Sequence, residues 1–428
     1  MHILDELKER GLVYQVSNEE ALRELIDRKD GAFYMGFDPT ASSLHVGGLL
    51  GIVFAKRLEN VGMKPIMLVG GATGRIGDPS GKAQERTLNA YDVVESMTAG
   101  LEKQIGQFDF KHAQYVNNYD WLGMMPLVDF LRDAGKYFTV NEMLAKESVK
   151  ARLESGISFT EFSYMLLQAY DFLKLYESRE VELQICGSDQ WGNITAGIEL
   201  VRKVLHKEAL GLTMPLVTTS DGKKMGKSES GAVWLDPTLT SPFHFYQFWL
   251  NVNDADAVKF LKYYTFLTLE EIAELERSLQ EAPEKREAHK VLAEAVTEFV
   301  HGKDALRLAK KISEALFGGD ISEIVGDKKE CESLFVGNMA VQKMEATGID
   351  KVNVLDFLAS LTWKSPLSKR QAREDIEAGA IELNGKKIET TDVVLSKKDA
   401  LFGKYMVLRR GKKNYHFVEV VEQLKIRL

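Results

Sequence analysis

The sequence predicts an α/β protein: a parallel sheet covered by helices, followed by an α-helical domain and then a small α+β domain. Three observations predict that order. In the first half, short apolar runs alternate with amphipathic stretches, the pattern of strands that pair in parallel and are buried on both faces. After about Trp234, apolar residues recur at three- and four-residue spacing with few interruptions, which is the helical period. The last segment, 351–428, carries a helix start followed by a hairpin signal. A chain of 428 residues suits two or three such domains.

Taken in order, Ala32–Met35 reads as a buried strand, and a loop leads from it to a helix from about Leu44 to Val61. Lys64–Val69 is the next strand, and the glycine-rich Gly70-Gly71-Ala72-Thr73-Gly74 follows it. Tyr115–Asn117 is a short strand and Met125–Gly135 a helix; Glu182–Cys186 and Thr213–Thr218 are strands separated by a helix from about Ile194 to Leu205. In such sheets ligands bind beyond the carboxyl ends of the strands, so the loops that follow them are where chemistry is expected. Asp254–Phe266 and Leu269–Gly318 are almost continuously helical in pattern, and Asp320–Asp350, with Gly326, Gly337 and Gly348, includes a linker. Ser368 caps a helix that begins Lys369-Arg370-Gln371-Ala372-Arg373, and Asn384-Gly385 turns a hairpin.

Composition excludes several classes. Hydrophobic residues make up 45% and charged residues 28%, ordinary for a globular protein, and no apolar run approaches the roughly 18 residues of a membrane span. The N-terminus mixes charge into its apolar positions and lacks a secretory core. Two cysteines, Cys186 and Cys331, make neither a disulfide framework nor a metal site, and a reducing cytoplasm is the expected home. Cys186 reads as a packed thiol, and His206, His289 and His301 have no ligand partner at useful spacing. Residues 351–428 hold 16 Lys+Arg against 10 Asp+Glu, a net of +6, which leaves −14 on residues 1–350 out of the chain's −8. An acidic body with a basic tail is the signature of a nucleic-acid-binding appendage; lysines that merely solubilise a small domain give the same count, and charge alone does not choose.

Two loops carry the chemistry. Gly36-Phe37-Asp38-Pro39-Thr40-Ala41-Ser42-Ser43-Leu44-His45-Val46-Gly47-Gly48 joins a strand to a helix, where backbone N–H groups and the helix dipole suit an anion such as phosphate. Thr40 and His45 can add donors; the alternative is an ordinary loop capped by Ser43. Far downstream, Ser220-Asp221-Gly222-Lys223-Lys224-Met225-Gly226-Lys227-Ser228 sets three lysines on a glycine-containing loop. A mobile basic loop can close over a polyphosphate and stabilise charge moving to the leaving group; the alternative is a solvated turn. Lys82 is not followed by Ser or Thr, so the Walker arrangement is absent.

Together the two loops resemble the His-Ile-Gly-His and Lys-Met-Ser-Lys-Ser signatures of class I aminoacyl-tRNA synthetases, here His45-Val46-Gly47-Gly48 and Lys224-Met225-Gly226-Lys227-Ser228. The surrounding segments narrow the resemblance to bacterial tyrosyl-tRNA synthetases: Tyr34–Thr40, Gly70–Gly74, Ile76–Lys82, Asn117–Trp121, Ser158–Tyr164 and Gly187–Asn193. The tail, through Ser365–Arg373, Asn384-Gly385 and Arg409–Tyr415, resembles a small RNA-binding module of ribosomal-protein type.

The resemblance implies a Rossmann-like catalytic domain over residues 1–220 with a dimer-interface insertion. A signature loop and helical domain would cover 221–325, a linker region 326–350 and the RNA-binding domain 351–428. It implies that Tyr34 and Asp171 bond the tyrosine hydroxyl, that Tyr164, Asp78 and Gln168 hold its ammonium group, and that Gln190 lies beside its carboxylate. Gly36, Asp38, Gly47, Gly187, Asp189 and Lys227 would surround ATP, Asp189 at the ribose. Thr40 and His45 would contact the phosphates, and Lys82, Arg86, Lys224, Lys227 and Ser228 would grip pyrophosphate. Lys369, Arg370, Arg373, Arg409, Arg410, Lys412 and Lys413 would meet the tRNA. ATP would carry Mg2+ on its phosphates, with no protein-bound metal, and the partners would be tyrosine, ATP, tRNA(Tyr) and a second copy of the chain, with no membrane.

Spacing supports part of this independently. Tyr164, Gln168 and Asp171 are four and three residues apart and share one helix face, an odd surface to bury unless each polar group meets a partner. The alternative has Asp171 bridging backbone and Gln168 in solvent. A polar partner for the hydroxyl rejects phenylalanine, which would leave it unpaired; tyrosyl synthetases are themselves the familiar illustration of that principle. Two positions depart from the family pattern, Gly48 in place of the second signature histidine and Met35 where cysteine often occurs near the ribose; Gly226 takes the place of the middle serine, where tyrosyl members frequently have glycine. Tryptophanyl relatives share the nucleotide loops, but the Tyr34/Asp171 pair and the tail count against them. A scaffold that binds RNA without catalysing would suit Gly48; His45, Asp78, Lys82, Arg86, Lys224 and Lys227 stand against it.

Overall fold

A six-stranded sheet organises the first half of the computed structural model, which describes residues 1–80, 88–153, 156–222, 225–228, 231–317, 320–336, 341–363, 367–411 and 414–422, with backbone alone at 148, 151, 227, 228 and 231. These fall into two units: Met1–Ala232 with Asn253–Ala288, and Val233–Val252 with His289–Leu428.

In the first unit the sheet strands are β1 (Gln15–Val16), β2 (Ala32–Phe37), β3 (Lys64–Val69), β4 (Gln114–Asn117), β5 (Val181–Gly187) and β6 (Leu210–Met214), and β7 (Lys227–Ser228) and β8 (Gly231–Ala232) form a separate antiparallel pair. The six lie in the order β1-β6-β5-β2-β3-β4, all parallel except β1, which runs antiparallel to β6. The central strands are largely apolar, as strands covered on both faces are: Phe33, Ile66, Met67, Leu183 and Ile185 are buried, with Gln184 of β5 a buried polar exception. Strand order reverses between β2 and β5, the place where a crevice opens beyond the strand ends. The last strand ends four residues short of the expected Thr218, because Pro215 has no N–H to give the ladder.

The helices of this unit are α1 (Ile3–Glu9), α2 (Glu19–Asp27), α3 (Val46–Asn60), α4 (Tyr91–Ile105), α5 (Tyr119–Leu122), α6 (Leu127–Asp133), α7 (Val140–Leu144), α8 (Glu147–Leu153), α9 (Phe159–Arg179), α10 (Trp191–Leu205), α12 (Asp254–Tyr264) and α13 (Leu269–Glu281), with α11 (Pro242–Leu250) belonging to the other unit. His45, not Ser43, caps α3: its Nδ1 accepts from the Gly47 N–H at 2.9 Å. Ser43 is buried instead against Gln104 of α4, whose amide also accepts from the Leu44 N–H at 2.6 Å. Ser158 caps α9 by accepting from the Glu161 N–H, which fixes the start of the helix that carries Tyr164, Gln168 and Asp171.

The second unit contains α11, α14 (Glu287–Phe317), α15 (Ser322–Gly326), α16 (Lys328–Ser333), α17 (Val354–Ser360) and α18 (Lys369–Glu377). The helical run expected over Leu269–Gly318 is broken by Pro283 between α13 and α14, and Gly302 (φ 83°, ψ 170°) kinks α14, a backbone geometry glycine adopts without strain. Its sheet strands are β9 (Val341–Glu345), β11 (Ile381–Leu383), β12 (Lys386–Lys387), β14 (Tyr405–Arg410) and β15 (Asn414–Val421), while β10 (Val352–Asn353) pairs with β13 (Val394–Leu395). Asn384 (φ 55°) and Gly385 (φ 78°) turn the β11–β12 hairpin, as an Asn-Gly pair does. Within the stretch expected to hold a linker, Val341–Glu345 pairs in parallel with β15. The core of this domain gathers Phe357, Leu358, Ile376, Ile381, Met406, Leu408 and Val418.

Candidate active site

One cavity of about 290 Å³ opens at the carboxyl ends of β2 and β5, inside the first unit. Its walls include all six residues expected around the amino acid, Tyr34, Asp78, Tyr164, Gln168, Asp171 and Gln190, and four of those expected around the nucleotide, Gly36, Asp38, Gly47 and Gly187. Backbone at 36, 47 and 48 forms part of the wall, so a ligand can lie directly on the main chain.

The buried polar groups form two networks. In the first, Asp171 accepts from Asn118 Nδ2 at 2.9 Å and from Trp121 Nε1 at 2.8 Å. Asn118, fully buried, also donates to Thr73 Oγ1 at 2.9 Å; Thr73 donates to Asp38 Oδ1, and Tyr164 donates to Asp38 Oδ2, both at 2.7 Å. In the second, Gln190 donates to Asp78 Oδ2 at 2.6 Å, and Asn193 donates to Gln190 at 2.9 Å and to Gln168 at 3.0 Å. Burial pushes the Asp171 carboxyl up to about 7, against the pull of the Asn118 and Trp121 donors. The Tyr34 phenol is held well above its ordinary range by burial and by the nearby Cys186 and Asp171. Its hydroxyl is buried with no hydrogen-bond partner among the described residues, an arrangement that costs about 1–3 kcal/mol unless a ligand supplies one.

The two signature loops meet. Gly226 has φ +88°, and a side chain there would stand 2.9 Å from His45 Nδ1 and 3.3 Å from the Gly47 nitrogen. This contact and the positive φ explain glycine in the middle of the second signature. The loop's root is pinned from α12, where Asp256 accepts from Ser220 N–H and Oγ at 3.0 and 2.9 Å. With Nδ1 capping α3, the neutral His45 ring carries its proton on Nε2. Met35 answers for Gly51: its Sδ lies 2.6 Å from where a side chain at position 51 would begin. A side chain at Gly48 would begin 3.3 Å from the Leu44 side chain, which would have to give way slightly.

Other expected residues fall elsewhere. Thr40 is exposed and lines a separate cavity of about 210 Å³ with Pro39, Gly74 and Gly77. Asp189 is exposed in the turn Ser188–Gln190. Lys82, Arg86, Lys224, Lys412 and Lys413 lie outside the described residues, and Lys227–Ser228 is described by its backbone, which pairs with Gly231–Ala232. In the second unit Lys369 pairs with Asp356, Arg370 with Glu374 at 3.0 Å, Arg409 with Glu382 and Arg410 with Asp375 at 2.7 Å, while Arg373 is exposed. Cys186 lines the cavity, and burial raises its thiol to about 12, the state of a packed thiol. Asn118, Trp121, Thr73 and Asn193 stand within the sequence motifs, but the sequence alone marks no role for them. Asn118 and Thr73 follow the ends of β4 and β3, Trp121 lies in α5 and Asn193 in the first turn of α10, and none of them carries a local pattern that marks it.

Residues 27–318 match the family model described as tRNA synthetases class I (W and Y), and residues 330–418 match that of the tyrosine–tRNA ligase SYY-like C-terminal domain. The chain is 53% identical over 424 residues to a tyrosine–tRNA ligase of Geobacillus kaustophilus, covering 98% of this chain and 99% of that one. A tyrosine–tRNA ligase of Bacillus caldotenax matches to the same extent. Among solved structures, a C-terminally truncated mitochondrial tyrosyl-tRNA synthetase of Aspergillus nidulans aligns with a TM-score of 0.65 at 32% identity, over 74% of this chain and 94% of that one.

Proposed function

The chain belongs to the tyrosine–tRNA ligase family of class I aminoacyl-tRNA synthetases, and from that premise we propose that the cavity holds the substrate tyrosine with its hydroxyl between Tyr34 and Asp171. As a member of the family it activates tyrosine with ATP and charges tRNA(Tyr). The observation that carries the assignment of the cavity is the buried, unpartnered Tyr34 hydroxyl in the same wall as Asp171. A phenol there donates to Asp171 and accepts from Tyr34, satisfying both.

The remaining roles are those the family resemblance implies. Tyr164, Asp78 and Gln168 hold the ammonium group and Gln190 lies beside the carboxylate. Gly36, Asp38, Gly47, Gly187 and Asp189 receive the nucleotide, with Thr40 and His45 at its phosphates. Lys82, Arg86, Lys224, Lys227 and Ser228 close on the pyrophosphate. The tyrosine carboxylate attacks the α-phosphorus and pyrophosphate leaves. The terminal hydroxyl of tRNA then attacks the carbonyl carbon of the adenylate and AMP leaves. Neither step needs an enzyme nucleophile, so this chain's residues act by positioning and charge stabilisation; Mg2+ arrives on the ATP phosphates.

The domain divisions at 220, 325 and 350 belong to the same proposal, with 351–428 as the RNA-binding part. Lys369, Arg370, Arg373, Arg409, Arg410, Lys412 and Lys413 are assigned to its tRNA face. Arg409 and Arg410, already held by Glu382 and Asp375, would steady that face as much as touch phosphate. A homodimer is supported by an apolar surface between residues 118 and 164, where Met124, Leu127, Val128, Val140 and Phe159 are exposed. Among the described residues no helix is long and apolar enough to cross a membrane; a cytoplasmic home is supported by the unpaired cysteines. Asp171→Ala tests the pocket: the KM for tyrosine should rise far more than the KM for ATP, and equal damage to both would remove Asp171 from the role.

A further inference from the structure

Two residues of α4 are poor choices for the helix itself. The face it buries holds Val94, Thr98, Leu101, Gln104 and Ile105, and the Thr98 hydroxyl is satisfied within the helix by the Val94 carbonyl at 2.8 Å. Gln104 is satisfied elsewhere. It is 8% exposed, and both ends of its carboxamide reach the loop that joins β2 to α3. Oε1 accepts from the Leu44 N–H at 2.6 Å, and Nε2 donates to Ser43 Oγ at 3.0 Å. Four residues earlier, and so on the same face, stands Gly100, which weakens a helix interior where alanine would serve. A Cβ there would begin 2.5 Å from the Ser42 carbonyl oxygen, so glycine is what lets the two backbones meet. Two locally unfavourable choices thus answer to one short segment, residues 42–44, and such exceptions are the kind that functional sites make.

The segment leads straight into His45. Resting on the reading of His45 as a contact to the ATP phosphates, we propose that Gly100 and Gln104 form a seat on α4 for the first signature loop, with Gln104 the positioning residue for His45. Gln104 lies outside the walls of the cavity and acts through the Leu44 backbone, one residue before the imidazole. The ring is held from the other side by the Gly47 N–H, which Nδ1 caps, and by the close approach of Gly226. Removing the carboxamide leaves the Leu44 N–H without this partner and lets the loop shift on α4. A small displacement of a group that meets developing charge costs rate more than ground-state binding.

The test is tyrosine-driven exchange of pyrophosphate into ATP by the full-length protein, as wild type, Gln104→Met, Gly100→Ala, His45→Ala, and Gln104→Met combined with His45→Ala. Gln104→Met should lower kcat about tenfold, the worth of one hydrogen bond, while the KM for tyrosine stays within about twofold. Gly100→Ala should lower kcat in the same sense although alanine favours the helix, and it serves if the glutamine variant does not fold. In the His45→Ala background, Gln104→Met should cost less than about twofold, because its effect passes through the ring already removed. If His45→Ala lowers exchange while Gln104→Met leaves it unchanged, or if the two losses multiply in the double variant, the proposal is overturned and Gln104 is packing. If His45→Ala itself leaves exchange unchanged, the reading of His45 falls and this proposal with it.

Discussion

Asp171 shows how burial and hydrogen bonding set one residue against itself. Two donors favour its carboxylate, yet burial dominates and lifts it from 3.8 to about 7. A folded-state value above the unfolded one means that the folded protein binds the extra proton between those limits, so ionising Asp171 subtracts stability as pH rises from about 4 to about 7. Binding has the opposite sense, because the substrate hydroxyl donates to the carboxylate. The KM for tyrosine should therefore rise about tenfold from pH 8 to pH 6, without a parallel rise in the KM for ATP. A flat tyrosine profile over that range would show that Asp171 does not receive the hydroxyl proton. The sequence displayed Tyr164, Gln168 and Asp171 on one helix face, and all three reach the cavity. It could not display Asn118 or Trp121 as the partners of Asp171, because those bonds span 53 and 50 residues and no local periodicity marks such a pair.

At the scale of elements, α9 is the helix on which the site depends, and its first turn is held by a buried ion pair. Arg152 of α8 lies 3.0 Å from Glu161, with the two side chains 3% and 1% exposed. Removing one partner of such a pair strands the other charge and costs about 3–5 kcal/mol, whereas an apolar replacement of both is close to neutral. Glu161→Ala should lose that much in chemical unfolding, and Arg152→Met with Glu161→Leu should recover most of it; a single variant within about 1 kcal/mol of wild type would mean that the pair is not what anchors α9. Element positions were well marked in the sequence where apolar runs have clear bounds, as at Lys64–Val69, which is the observed β3. They were poorly marked where one residue interrupts a run: Pro215 ended β6, and Gly302 kinked a helix whose period continues across it. The cap of α3 went to His45 over Ser43 because Gln104, distant in sequence, claims the serine.

At the scale of the whole molecule, the exposed apolar side chains concentrate between residues 115 and 159, and α6 buries none of its residues. A patch of that kind marks a docking surface, for which a second copy of the chain is the proposed partner. Leu127→Asp with Val128→Asp should convert a sedimenting dimer into a species of 48.1 kDa; a wild type that already sediments at that mass would remove the dimer from the account. The acidic body and basic tail left an RNA-binding appendage and a merely solubilised domain equally open, and Arg409 and Arg410, counted as basic, are engaged with Glu382 and Asp375. What composition could not show is the meeting of the two signature loops at His45 and Gly226, far apart in the chain. The central claim, that the polar floor of this cavity selects tyrosine for activation, is tested most directly by pyrophosphate exchange into ATP with tyrosine, phenylalanine and tryptophan offered one at a time. The account predicts exchange with tyrosine alone; comparable exchange with phenylalanine would contradict it.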